Sequence, residues 1–156
     1  MDNIVWKAKK FKDLSVDEYF EILYLRTEVF VVEQDCPYQE VDEKDRQSIH
    51  LFGRINEGEL IAVLRIIPAG ISYQEISIGR FALKKEYRGK GIADALMEEA
   101  LSVVQTEFGM HSIRISAQQY LENFYMKHGF KTVGDVYLED GIPHLEMLLV
   151  NTPSKT

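Results

Sequence analysis

The segment Arg88-Gly89-Lys90-Gly91-Ile92-Ala93 sets two glycines and two cations directly before the strongest helical pattern in the chain. A helix N-terminus leaves backbone N–H groups unpaired and carries partial positive charge. Glycines let that backbone approach an anion with no Cβ in the way. Arg88 and Lys90 add positive charge at the same point, so the chemistry this segment suits is a cradle for phosphates. Two familiar phosphate-binding patterns do not fit. A P-loop needs its second glycine followed by Lys and Ser or Thr, whereas Ile92 and Ala93 follow Gly91. A Rossmann fingerprint needs a third glycine where Asp94 stands, and a parallel sheet besides. The alternative is that Gly89 and Gly91 only shape a tight loop ahead of a helix.

The surrounding patterns predict what must position this loop. Ile92, Leu96, Ala100, Val104 and Phe108 recur at four-residue steps, and Gly109 stands where a helix C-terminus favours glycine. Ile76 to Leu83 reads as the strand that feeds the loop, and Ser112 to Ala117 as the strand that follows the helix. Upstream, Ile4 to Ala8 alternates like a strand, and Ser15 with Glu18 has capping-box spacing. The helix after it presents Val16, Tyr19, Phe20, Leu23, Val29 and Phe30. A polar loop, Glu33 to Ser48, precedes strands Ile49 to Ile55 and Leu60 to Ile67, which flank the turn Asn56-Glu57-Gly58. Downstream, a helix from Tyr120 to His128 stops at Gly129. Phe130 to Leu138 and Ile142 to Val150 then close the chain as a hairpin. The expected fold is a mixed α/β (α+β) domain: a mostly antiparallel sheet with a parallel crossover in the middle, flanked by helices.

Composition bounds the rest. The 156 residues suit one domain, read as residues 1–150 with a frayed tail at 151–156. Apolar residues are 46% and charged residues 28%, which suits a packed globular chain rather than a disordered one. The 25 acids outnumber 18 basic residues, which argues against a nucleic-acid partner. A single cysteine, Cys36, excludes an internal disulfide and fits a reducing compartment. No apolar run reaches the length of a membrane span, since Arg65 interrupts the strongest one. With no apolar stretch near its start, the chain reads as cytoplasmic.

Three ordered blocks then point to a family. The spacing Arg88-x-x-Gly91-x-Ala93 after the strand IGRFAL resembles the acyl-coenzyme A signature of the GCN5-related N-acetyltransferase (GNAT) superfamily. The run AQQYLENFYMKHGF, with Tyr125 four residues before Gly129, is similar to its second conserved block. The stretch LRTEVFVVEQDCPYQEVDEKD, followed by His50, resembles the ElaA-like branch. The resemblance spans residues 20–150. It implies a pyrophosphate of acetyl-coenzyme A on the amides from Gly89 to Ala93, with Arg88 in the same signature. It implies a pantetheine arm along Phe81-Ala82-Leu83, paired like an added strand. It also implies a bulge at which that strand splays from the next, exposing amides to the thioester carbonyl. Where the family often has asparagine, this chain has Gln118, a longer side chain with the same amide chemistry.

Acetyl transfer poses two proton problems. An alkylamine with a pKa of about 10.4 is only about 0.1% neutral at pH 7.4, a handicap of about 4 kcal/mol. The departing thiolate also gains from a proton, and Tyr125 matches the family position for that donor. The base is open among the histidines. His50 on a central strand and His144 in the last hairpin could both face the acceptor, while His128 at a helix C-terminus reads as structural and His111 has nothing nearby to recommend it. Water relay would need no single base. The loop Glu33 to Ser48 holds six acids and two bases, suited to attracting a cationic amine or simply to facing solvent. Glu33 and Asp42 stand out because they fall in the ElaA-like stretch. Arg26 and Arg80 interrupt apolar patterns and could orient a carboxylate on the substrate. Cys36 has no adjoining base to make it a nucleophile. No HExxH or paired-cysteine spacing supports a metal.

The expected activity is therefore direct acetyl transfer from acetyl-coenzyme A to a primary amine, small or peptidic. The rivals are a silent coenzyme A-binding sensor or scaffold of the same fold, and transfer of a longer acyl group or to a hydroxyl. Exposed sheet edges invite pairing of two copies as a homodimer.

Overall fold

Arg65 is the one charged residue in Leu60–Ile67, a strand buried along its whole length. That pattern marks a central strand covered on both faces. The computed structural model describes residues 3–150. It places this strand, β3, third in chain order after β1 (Ile4–Lys10) and β2 (Ile49–Ile55). With β4 (Ser77–Leu83) they form an antiparallel sheet in the order β1-β2-β3-β4. Helix α1 (Val16–Thr27) packs Ile22 and Leu25 with Phe52, Val63 and Ala82. Helix α3 (Ile92–Phe108) packs Leu96, Met97, Ala100 and Val104 into the larger core, with Ile61, Leu64 and Ile66. Between α1 and β2 lie a π-helical turn (Glu28–Glu33), an irregular loop and the short helix α2 (Lys44–Gln47).

The second sheet holds β5 (Ile113–Gln118), β6 (Lys131–Thr132), β7 (Tyr137–Glu139) and β8 (Ile142–Leu149), with β8 paired to the other three. Helix α4 (Glu122–Lys127) follows β5. The β4-α3-β5 crossover is parallel, but its strands touch only at the start. Ile76 bridges Ile113, and the Arg114 amide donates to Ile76 O at 2.9 Å. The Arg114 guanidinium clamps this junction, reaching Glu75 at 3.0 Å and Glu146 at 2.6 Å. Beyond it, β4 pairs only with β3 and β5 only with β8 among the described residues, so a gap opens between the sheets.

Several expectations need correction. The capping box is present, with Glu18 N to Ser15 Oγ at 3.0 Å and Ser15 N to Glu18 Oε1 at 2.8 Å. The buried face of its helix, however, is Ile22, Leu25, Arg26 and Val29, whereas Val16 is 87% and Phe20 64% exposed. The predicted strand Phe130 to Leu138 breaks into β6 and β7, because Gly134 takes a left-handed φ of 93° between them. Among the described residues, no helix is long and apolar enough to cross a membrane. The predicted tail at 151–156 lies outside the described residues.

Candidate active site

The gap between the sheets is widened by a bulge in β4. Val63 pairs with Ala82 and Arg65 with Gly79, so Leu64 alone faces both Arg80 and Phe81. Two residues against one bend the strand and leave backbone groups without ladder partners. Arg80 takes a left-handed φ of 51° to do this, a conformation that costs about 1–2 kcal/mol for a residue with a Cβ. Beside the bulge lies a cavity of about 270 Å³ lined by Gly79, Phe81, Ala117, Gln118, Tyr125 and His144, among others.

Along β4 from this cavity lies the glycine loop. Gly89 and Gly91 adopt left-handed φ values of 76° and 80°, and space is open where each Cβ would project. Gly91 caps α3 without a side-chain hydrogen bond, so no capping side chain occupies the first-turn amides of Ile92 and Ala93. That open, donor-rich helix start fits a diphosphate. Arg88 is less free than its charge suggests: Nε donates to Leu83 O at 3.0 Å, and its terminal nitrogens grip Glu33 at 2.9 and 3.0 Å. Lys90 lies over the Tyr87 ring, 5.6 Å from its centroid. Asp94, in the first turn of α3, binds Lys127 and His128 at 2.8 Å each and ties α4 to the same helix end.

Tyr125 lies at the cavity floor, ringed by Phe81, Phe124 and Phe130 at centroid distances of 6.4, 5.3 and 5.8 Å. Burial among these rings pushes its pKa well above that of an ordinary phenol, so the hydroxyl keeps its proton at neutral pH. Gln118 exchanges amide hydrogen bonds with Gln34 at 3.3 and 3.4 Å, closing the cavity between β5 and the loop after the π-helical turn. His144 stacks on Tyr137 and donates from Nδ1 to Ile142 O at 2.7 Å. A carbonyl can only accept, so Nδ1 carries the proton and neutral His144 leaves the Nε2 lone pair free. Nε2 lies 3.4 Å from Glu139 Oε2, and both residues line the cavity.

His50 does not join this group. It is fully buried against Phe11 and Tyr19, away from the cavity lining. Its Nε2 lies 2.8 Å from Asp45 O, and Nδ1 has no hydrogen-bond partner among the described residues. The placement of His50 toward the acceptor is therefore corrected. His50 shares its sheet face with Arg65, which stands opposite it in register, but Phe11 and Tyr19 cover its ring and keep it from the cavity.

The acid-rich loop also departs from expectation. Glu33 faces Arg88 at the glycine loop rather than the acceptor. Asp42 is bound by Arg65 at 2.6 and 3.1 Å and lies 3.8 Å from Arg80. Arg26 is wholly buried and paired with Glu40 and Asp45 at 2.7 and 2.9 Å, so no substrate carboxylate reaches it. Asp45 also takes Arg65 at 2.8 Å and the Tyr19 hydroxyl at 2.5 Å. Burial alone would raise the Asp45 pKa, but the guanidinium charges of Arg26 and Arg65 win and hold it below the usual carboxylate range. The same contest, won by Arg65, lowers Asp42. Glu40, Asp45, Arg65 and Tyr38 were absent from the residues expected at the site. The usable signal was Arg65 itself: a charge inside a buried strand requires partners, and the six-acid loop is the nearest supply. Arg80 completes the cluster, with Nε on Glu40 at 2.9 Å and its guanidinium 5.5 Å from the Tyr38 ring centroid. Cys36 lies at the cavity wall, its Sγ 3.6 Å from Asp140 O.

This geometry has close relatives. Residues 10–150 match the family model of the acetyltransferase (GNAT) domain. A UPF0039 protein of Schizosaccharomyces pombe is 43% identical, covering 96% of this chain and 99% of that one. Protein ElaA of Escherichia coli is 37% identical over 92% of this chain and 95% of its own. Among solved structures, an acyl-CoA N-acyltransferase from Pseudomonas aeruginosa superposes with a TM-score of 0.88 at 40% identity, covering 94% of this chain and 99% of that one. The crystal structure of Escherichia coli ElaA gives 0.87 at 36% identity, with the same coverage of both chains. A splayed sheet, a bulged β4 and a glycine-opened α3, together with these matches, assign the chain to the GNAT family of acyl-CoA-dependent acyltransferases as an ElaA-like member.

Proposed function

We propose that the chain transfers an acetyl group from acetyl-coenzyme A directly to a primary amine. The observation that carries this reading is the alignment of three features along one strand: the open N-terminus of α3, the free edge of β4, and the cavity that Tyr125 and His144 both line. The amides of Gly89 to Ala93 would hold the diphosphate, and the edge of Phe81, Ala82 and Leu83 the pantetheine arm. Amides freed by the bulge would face the thioester carbonyl and stabilise negative charge growing on its oxygen. The amine nitrogen forms the new N–C bond as the C–S bond breaks. Its proton passes to His144 Nε2 or through water, and the sulfur leaves as a thiolate.

Magnitudes decide what Tyr125 does for that thiolate. An ordinary phenol titrates near about 10 and a thiol near about 8.5, so full proton transfer from phenol to thiolate is uphill. Burial raises Tyr125 further. Tyr125 therefore acts by donating a hydrogen bond to sulfur as charge develops, and the proton shed by the amine completes the thiol. A reducing cytoplasm suits a chain with one cysteine that needs no disulfide. The test is incubation of purified protein with acetyl-coenzyme A and a pool of primary amines, followed by mass spectrometry. Acetylated amines are expected; coenzyme binding without any acetylated product would favour a sensor or scaffold.

A further inference from the structure

The acceptor end of the cavity has a charge pattern that the transfer chemistry does not require. Arg65, Arg80 and Lys44 line one side, and Glu139 and Asp140 line the hairpin side. The buried cluster behind the first side is neutral: Arg26, Arg65 and Arg80 balance Glu40, Asp42 and Asp45. Lys44 is left over. It lines the cavity, and no ion pair or side-chain hydrogen bond satisfies its ammonium among the described residues. Arg80 is also only partly engaged. Nε is bound to Glu40, while its NH2 nitrogen is 3.8 Å from Asp42, beyond hydrogen-bond range. Its terminal nitrogens therefore remain donors at a partly exposed position, stiffened by the Tyr38 ring beneath.

From these residues we infer that Lys44 and Arg80 form a carboxylate subsite, making the preferred acceptor an amino acid. An ammonium and a planar guanidinium both line this cavity, and the planar fork matches a carboxylate. Glu139 and Asp140, which line the cavity from the β7–β8 hairpin, suit the protonated amine before it loses its proton at His144. The cavity is thus polarised as a zwitterion is. Arg80 is also the bulge residue of β4, so a carboxylate held there keeps a nearby amine close to the amides proposed to face the thioester.

The inference rests on the transfer reading, and two readouts separate their failures. In the first, thiol release from acetyl-coenzyme A is followed with each common α-amino acid and with its carboxamide. At the preferred side chain, kcat/KM should be at least tenfold higher for the acid, mainly through KM. Lys44→Met, which keeps the aliphatic stem, should cut that preference to threefold or less, and Lys44→Arg should restore it. The second readout needs no turnover: calorimetric titration with N-acetyl amino acids and their methyl esters. Acids should bind at least tenfold tighter than esters, and Lys44→Met should cut the difference to threefold or less. Equal use or binding of acid and neutral analogue overturns the subsite, as does a preference that Lys44→Met leaves intact. Absence of thiol release with every amine defeats the transfer reading, and the titration then judges the subsite alone.

Discussion

Arg26 and Arg80 share one carboxylate oxygen: Glu40 Oε2 accepts from Arg26 Nε at 2.7 Å and from Arg80 Nε at 2.9 Å. One buried acid thus joins the inner face of α1 to the bulge of β4. The other oxygen takes the Tyr38 hydroxyl at 2.8 Å, so the irregular loop before α2 is fastened at the same point. Glu40 is a positioning residue. It anchors the side chain of Arg80 at the bulge, where the Arg80 backbone is left-handed.

Glu40→Gln should therefore cost stability and catalysis together. Breaking a buried ion pair from one side typically costs about 3–5 kcal/mol. Arg26 keeps Asp45, so the low end is expected, a fall in Tm of roughly 6–12 °C for a chain of this size. Assayed below that Tm, the variant should show raised amine KM with near-normal coenzyme affinity. Thermal melts and steady-state kinetics check both; wild-type Tm with wild-type KM would remove the anchoring role.

Tyr125→Phe should lower kcat by roughly a hundredfold, the lower range for removing one hydrogen-bond donor aimed at developing charge. Coenzyme A affinity by calorimetry should stay within about twofold, because the ring contacts with Phe81 and Phe130 survive. Turnover equal to wild type would show that the phenol serves only packing.

Gly91→Ala should separate binding from folding. A Cβ there meets nothing within 4 Å, so the fold cost is the left-handed φ of 80°, about 1–2 kcal/mol and a few degrees of Tm. The added methyl projects into the space assigned to the diphosphate. Coenzyme A affinity should fall at least tenfold, as read by calorimetry; unchanged affinity would place the diphosphate elsewhere.

His50 predicts a pH dependence of stability rather than of chemistry. Burial holds its pKa below the ordinary histidine value of about 6.5, where the unfolded chain still titrates. The folded state thus binds fewer protons than the unfolded state just below that pH. Its contribution is complete above about pH 6.5 and is lost as pH falls toward the folded pKa, at up to about 1.4 kcal/mol per unit. Protonation would add an N–H at Nδ1, which has no acceptor among the described residues. Asp42 and Asp45, held below the usual range by Arg65 and Arg26, lose their contribution only at much lower pH. Denaturant titrations from pH 8 to pH 5 should show the loss in the wild type and not in His50→Leu. A slope that persists in that variant would assign it to another group.

What could be read from sequence tracks how local the cause is. The glycine loop, the α3 stripe and the Ser15-Glu18 box are short-range patterns, and they stand where expected. The α1 face was misread because Val16 and Phe20 keep helical spacing yet lie exposed, while Arg26 turns inward to meet acids 14 and 19 residues away. The loop acids looked like solvent-facing charges because their partners are set by tertiary packing. The left-handed φ of Arg80 leaves no trace in residue type, since that conformation favours glycine. Sequence does not rank His50 against His144, because the rings that cover His50, Phe11 and Tyr19, come from a distant part of the chain.

Initial rates over a grid of acetyl-coenzyme A and amine concentrations test direct transfer most plainly. Attack by a bound amine on a bound thioester predicts lines that intersect in double-reciprocal form, with one N-acetylated product per thiol released. Parallel lines, with an acetylated Cys36 trapped when the amine is left out, would contradict the account.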